Sequence, residues 1–358
     1  MKLTVKILSL IIAIICAFGL IACNTGNTDK NDSETPKNAK LRSAIDLTKA
    51  WNEVSETENS LVQGCIIIRK EFAEAHPAEV KAFLDEYKAS VDFVNANVEE
   101  ASALIAEAGI VPKAAIAKKA IPNCNIAYME GDAMKNSLSA FYETLYSVNP
   151  AAIGGALPDD GLYYKRAETA SAADSTLKVN VTVLSGTTGM GAAKLISDAK
   201  AGNAALDYTF NVVADPTQIS AGIVGKSIDI AAVPTNLAST LYKKTNGGVQ
   251  VLAVNTLGVL YIMEKGNSLT DIKSLKGKTV YVPGQGTNPE YILQYIIEKN
   301  GMKVGTDVIF DYTYNSPDAL ANAVSAGLVD IALLPEPKVS VILIQQAAAE
   351  AANTTAAK

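Results

Sequence analysis

Apolar and polar positions alternate along "KVNVTVLSGTTGMGAAKLISDA", and the period then changes after a Gly-rich break. The alternation predicts a strand and the later spacing a helix. "KGKTVYVPGQGTNPEYILQYIIEKNG" repeats that order. A second echo lies downstream of each copy: "ISAGIVGKSIDIAAVPTN", ending at Asn236, and "LANAVSAGLVDIALLPEP", ending at Pro337. Each reads as a helix, a short break, a strand around "DIA" and a proline. Asp229 matches Asp330, Ile230 matches Ile331 and Pro234 matches Pro335, at a spacing of roughly 100 residues, about one lobe of ordinary domain size. Strands alternating with helices predict parallel sheets with crossover helices, and ligands bound beyond the carboxyl ends of the strands. Two such lobes would bring four loops to one cleft: Ser185–Gly191, Pro234–Asn236, Gly284–Glu290 and Pro335–Pro337.

The apolar run from Val249 to Met263 predicts a strand that leaves one lobe and enters the other. The stretch that opens "IIIRKEFAEAHPAEVKAFLDEYKAS" predicts a strand returning to the first lobe. Phe83, Leu84, Tyr87 and Val91 follow at helical spacing, which makes them core. At the front, Lys2 and Lys6 flank an apolar run from Ile7 to Ala22, a short signal segment rather than a stable membrane span. It closes on Leu20-Ile21-Ala22-Cys23, and the polar "NTGNTDKNDSETPKN" behind it reads as a flexible tether.

Composition narrows the function. The 358 residues are about right for two domains, and 49% are hydrophobic, ample for their cores. The net charge is -6 and no Lys/Arg run lies beyond the first few residues, which excludes nucleic-acid binding through clustered cations. The one histidine, His76, precedes Pro77 as a helix-start surface residue and argues against His-based metal or acid–base chemistry. "GTTGMG" is neither a dinucleotide fingerprint nor a phosphate loop. Its glycines either let backbone N–H groups at a helix start approach a ligand or simply make a tight turn. Of four cysteines, Cys16 leaves with the signal, and Cys65 and Cys124 either form a disulfide, which export permits, or stay two buried thiols.

These motifs carry a resemblance. Leu20–Cys23 resembles the lipobox of bacterial lipoproteins, which implies a diacylglycerol on Cys23 and a place on the outer face of the cell membrane. From Val181 to Ile344, "VLSGTTGMGAAKL", "DIAAVPTNLASTLYKKTNGGVQVLAVNTLGVLYI", "DIKSLKGKTVYVPGQGTNPEYIL" and "GLVDIALLPEPKVSVIL" resemble solute-binding lipoproteins of ABC importers. The similar group is that of sulfonate, nitrate and thiamine-pyrimidine binders, with the type II periplasmic binding protein fold. From Leu41 to Tyr164, "AIDLTKAWNEV", "GCIIIRKEFAEAHPAEVKAFLDEYKAS", "KAIPNCNIAYMEGDAMKNSLSAFYETLY" and "GALPDDGLYY" resemble the other half of such proteins. In the family that half comes second, so the order here is that of a circular permutant with its export signal kept in front. "QQAAAEAANTTAAK" would lead naturally into "NAKLRSAIDL".

The resemblance implies an α/β fold of two lobes, each a mostly parallel sheet flanked by helices, with the ligand cleft between them. Its division of the chain is signal 1–23, tether 24–40, part of the second lobe at 41–64, and the helical part of the first lobe at 65–166. A spacer at 167–178 joins the former termini, the lobe cores are 179–262 and 263–346, and an Ala-rich tail spans 347–358. The implied role is capture of a small solute by a monomer, for delivery to an ABC permease and its ATPase, with no cofactor, metal or catalysis. Other readings are a surface receptor or adhesin, or a thiamine-pyrimidine-synthesis enzyme, whose cysteine-rich stretch and histidine are missing here. Candidate ligand contacts are Ser185, Thr187, Thr188, Gly189, Met190, Thr235, Asn236, Asn255, Gln285, Thr287, Asn288, Glu290 and Glu336. Trp51 and Asn52 are expected near the cleft mouth, where the indole could stack on a flat solute. Turn chemistry is the plainer reading of Asn236 and Asn255, helix-start chemistry that of Glu290, and core packing that of Trp51.

Overall fold

A computed structural model describes residues 40–167 and 171–356. The described chain enters on β1 (Leu41–Asp46) and α1 (Leu47–Asn52), then crosses to β2 (Gly64–Arg69). Helices α2 (Lys70–Ala75), α3 (Pro77–Ala96), α4 (Val98–Glu107) and α5 (Ala114–Ala120) follow, then β3 (Ile126–Met129) and α6 (Gly131–Val148). The first repeat copy is β4 (Lys178–Leu184), α7 (Thr187–Met190), α8 (Ala193–Lys200), β5 (Asp207–Val213), α9 (Pro216–Val224), β6 (Ile230–Pro234) and α10 (Thr235–Lys244). β7 (Val249–Thr256) and β8 (Leu260–Lys265) lead to the second copy: β9 (Thr279–Tyr281), α11 (Asn288–Lys299), β10 (Ile309–Asp311), α12 (Pro317–Ser325), β11 (Ile331–Pro335) and α13 (Lys338–Ala356).

The strands form two sheets, ordered β3-β7-β2-β6-β4-β5 and β1-β8-β11-β9-β10. Each copy supplies three parallel strands with its first strand in the middle, β5-β4-β6 and β10-β9-β11. Both sheets are mixed rather than mostly parallel, because strands arriving from the opposite lobe run the other way. β2 lies antiparallel to β6, pairing Gly64 with Pro234 and Ile68 with Ile230. β8 lies antiparallel to β11, pairing Leu260 with Pro335 and Glu264 with Ile331. The backbone repeats at the far ends: Arg69 N–H donates to the Asp229 carbonyl at 3.0 Å, and Lys265 N–H to the Asp330 carbonyl at 2.8 Å.

The run from Val249 to Met263 is therefore two strands, broken at Leu257-Gly258-Val259. The break needs glycine. A Cβ on Gly258 would lie 2.2 Å from Thr48 Oγ1 and 2.6 Å from a Leu61 methyl. Gln63 ties this crossing to the other one. Its N–H donates to the Thr256 carbonyl at 3.0 Å, and its Oε1 accepts from Val259 N–H at 2.7 Å.

Covered on both faces, β2 reads as an unbroken apolar run. Cys65 and Ile67 enter one core cluster, Ile66 and Ile68 the other, as a period of two requires. α3 begins on Pro77 and buries Val80, Phe83, Leu84, Tyr87, Val91 and Val94 along one face. Each large side chain so buried contributes about 1.5–3 kcal/mol.

The helices between β2 and β4 are not confined to the first lobe. α6 packs on α11, with Asn149 Nδ2 donating to the Tyr291 hydroxyl at 2.7 Å, and α5 packs on α13. Residues 347–356 continue α13 rather than forming a separate tail, as their alanines favour. The start of β1 lies beside this helix: Leu41 N–H donates to Gln346 Oε1 at 2.7 Å, and Lys40 Nζ sits 2.9 Å from Glu350 Oε2.

Candidate functional site

Strand β4 ends at Leu184, and the chain must turn at once into α7. Gly186 takes φ +89°, a conformation open to glycine at little cost. Gly189 and Gly191 are required by packing. A Cβ on Gly189 would lie 2.3 Å from the Leu184 carbonyl, and one on Gly191 2.9 Å from the Tyr87 hydroxyl. Asn255, 1% exposed, fixes the turn, its Nδ2 donating to the Tyr87 hydroxyl at 3.0 Å and to the Thr188 carbonyl at 2.8 Å.

Opposite stands the turn after β11, Pro335-Glu336-Pro337-Lys338. The two turns touch where Thr187 Oγ1 donates to the Glu336 carbonyl at 3.2 Å. Around this contact a cleft of about 750 Å³ opens between the sheets. The first sheet contributes Leu184–Thr188, Val212–Ala214 and Pro234; the second contributes Pro317, Asp318 and Pro335–Lys338; the α4–α5 connection adds Gly109–Pro112.

Glu336 is 3% exposed. Its carboxylate accepts from Ser340 N–H at 3.1 Å and from Ser340 Oγ at 3.0 Å, so it also braces the first turn of α13. Burial pushes its pKa up to about 7, against the opposing pull of the Ser340 hydrogen bonds and of Lys119. The remaining charges on the lining, Asp318 and Lys338, are paired with each other.

A family model described as menaquinone biosynthesis matches residues 34–147, less than half of the chain. No curated protein matches. Among solved structures, an ABC transporter from Parabacteroides distasonis is 23% identical over 48% of this chain and 56% of its own, with a TM-score of 0.33. The periplasmic aliphatic sulphonate binding protein SsuA from Escherichia coli is 16% identical over 47% of this chain and 57% of its own, at 0.34. The alkanesulfonate-binding protein SsuA from Xanthomonas axonopodis pv. citri bound to MOPS is 16% identical over 49% and 60%, at 0.32. The chain thus spans little more than half of each of these three structures.

Of the expected contacts, Ser185, Thr187, Thr188 and Glu336 line the cleft. The others do not. Trp51 is fully buried between Phe141 and Tyr295, its Nε1 donating to Ser60 Oγ at 2.9 Å, so it is core rather than a stacking platform. Its neighbour Asn52 is exposed. Thr235, also fully buried, donates to the Val62 carbonyl at 2.8 Å, while Asn236 is half-buried beside it. Gly189 and Met190 face the first lobe's core, and Asn255 is a brace behind the turn. Gln285 and Thr287 are exposed on the second Gly loop. Glu290 accepts from Gly286 N–H and from the Tyr312 hydroxyl, closing that loop on itself. Asn288 starts α11, buried, and its Oδ1 has no protein partner among the described residues.

Cys65 and Cys124 are buried free thiols in different core clusters, so no disulfide joins them, and burial pushes both thiol pKa values up. Cys23 lies outside the described residues. Among the described residues no acidic, His or Cys cluster could hold a metal ion, and no helix is long and apolar enough to cross a membrane.

Sequence reasoning missed the Ile110–Pro112 and Val212–Ala214 walls and the Pro317-Asp318 rim. The last had a signal. Asp215-Pro216 and Ser316-Pro317 occupy matching places in the two copies, each a capping residue before a helix-starting proline.

Proposed function

We propose that the chain captures a small solute between its lobes and delivers it to an ABC permease, held at the outer face of the cell membrane by a lipid on Cys23. The cleft carries this reading: one cavity of about 750 Å³ lies between two sheets joined by two crossings. It falls within the size range of small-molecule sites, and its walls are apolar with a few convergent polar groups. Lobes linked this way can open and close as hinged bodies. The permuted order of the halves is part of the proposal. In its support, residues 41–46 complete one sheet and residues 64–69 and 126–129 the other, and residue 40 lies beside α13.

The family-model match favours an enzymatic reading. Residues 34–147, which it covers, give the cleft only Gly109–Pro112, none of them titratable. Binding without chemistry is the better reading. Small-angle scattering and thermal shift against a metabolite panel test it: a bound solute should compact the protein and raise its melting temperature by mass action. A panel in which no compound does either would refute it.

A further inference from the structure

Granting solute binding in this cleft, we infer that its solute is uncharged or cationic, with N–H or O–H donors on an aliphatic body, and is not an anion. Anion sites in proteins are built from convergent backbone N–H groups, helix starts and free cations. Of these the cleft offers only the start of α7 at Thr187, a single turn of four residues. Pro112, Pro234, Pro317, Pro335 and Pro337 all line it, and a proline contributes a carbonyl acceptor and no N–H. The other helix starts at its rim, those of α12 and α13, already carry the chain's own acids. Asp318 sits in the first turn of α12, and the Glu336 carboxylate takes the Ser340 N–H in the first turn of α13. The one lysine of the lining, Lys338, is held by Asp318.

What remains accepts hydrogen bonds. The carboxylate of Glu336 takes one hydrogen bond on each oxygen from Ser340 and a third from the Asn123 side chain, and such a group can accept about four. The Ser185 hydroxyl is exposed at the mouth. Burial keeps the Glu336 carboxyl close to half-protonated near neutral pH. Ionised it repels an anion, and protonated it offers a single donor. Ile110, Val111, Val212 and Val213 form the apolar wall, and no aromatic ring lines it, so the body they fit is aliphatic.

The test uses the full-length protein purified without refolding. Native mass spectrometry identifies any retained ligand. Thermal shift then compares amine, alcohol, carboxylate and sulfonate head groups on one n-hexyl skeleton, with MOPS as a further anion. The amine or the alcohol should stabilise the protein, and the anions should not. Asp318→Asn, which releases Lys338, should raise sulfonate affinity several-fold, with the fold checked by circular dichroism. A sulfonate or carboxylate that is retained by, or stabilises, the unmodified protein overturns the inference and leaves solute binding standing. If nothing is retained and no head group stabilises, both readings fall.

Discussion

The two lobes repeat one backbone and divide the site unequally. In the first, the Gly-rich turn 184–188 faces the cleft, braced from behind by Asn255, while Thr235 after the next strand is sunk into the core on the Val62 carbonyl. In the second, the Gly-rich loop 284–290 stays outside the cleft and closes on Glu290, and it is the turn Pro335–Pro337 that lines the cavity. Strand order is set by the shared alternation of apolar residues. Which loop reaches the cleft is set by a few residues that differ, Thr235-Asn236 against Glu336-Pro337 above all.

The lobes also anchor their strands with different buried acids. Asp229 binds the Arg69 guanidinium and accepts from Asn180 N–H at 2.8 Å, tying β2, β4 and β6 together. Glu264, on β8, accepts from Arg42 at 2.8 Å and from Ser268 N–H at 2.6 Å. Asp229→Ala would leave Arg69, largely buried, with only the exposed Glu71 as an acid partner, and should cost about 3 kcal/mol in urea unfolding. A loss below about 1 kcal/mol would mean that the first lobe does not depend on this acid.

The next effect belongs to the second lobe alone, since Thr235 stands where Glu336 does and does not titrate. The Glu336 pKa is raised from 4.5 to about 7. The folded protein therefore holds this proton more tightly than the unfolded chain does. The associated stability is fully present below the unfolded pKa and is lost as pH rises through about 7. Between pH 5 and pH 8 the loss should be about 2–3 kcal/mol. Glu336→Gln should flatten that part of the curve, and identical slopes for mutant and parent would exclude the assignment.

Adding one methyl group compares the loops directly. Gly189→Ala forces a Cβ against the Leu184 carbonyl and should cost about 1–3 kcal/mol or more. Gly286→Ala meets only its own φ of +75°, with the nearest atom at 3.6 Å, and should cost about 1 kcal/mol. Equal melting points for the two mutants would erase the contrast between a packed loop and a free one. Least disruptive of all should be a chain that starts at Ser171, ends at Ala167 and joins Lys358 directly to Lys40. It is expected to melt within a few degrees of the parent. Failure to fold would count against the permutation proposal.

The echo in the sequence foretold β4–β6 and β9–β11 because three parallel strands and two helices impose strong periods. It could not show that β2 and β8 enter antiparallel, since a strand buried on both faces reads the same in either direction. The break at Gly258 was hidden in an apolar run because its cause, Thr48 and Leu61, lies far away in the chain. The site was legible in part. Ser185, Thr187, Thr188 and Glu336 were found from their loops, whereas Trp51 was misplaced because a lone tryptophan gives no sign of which side it packs on. The walls at 110–112 and 212–214 are plain aliphatic segments that only tertiary structure turns toward a cavity.

Gln63 touches both places where the chain passes between the sheets, through its backbone to Thr256 and its side chain to Val259. A pair of straps stitched together in this way resists twisting and sliding and leaves one axis about which the halves can swing. Opening the jaw is then a movement with a single coordinate. In the proposed solute-binding role, both rims would part together at the Thr187–Glu336 contact.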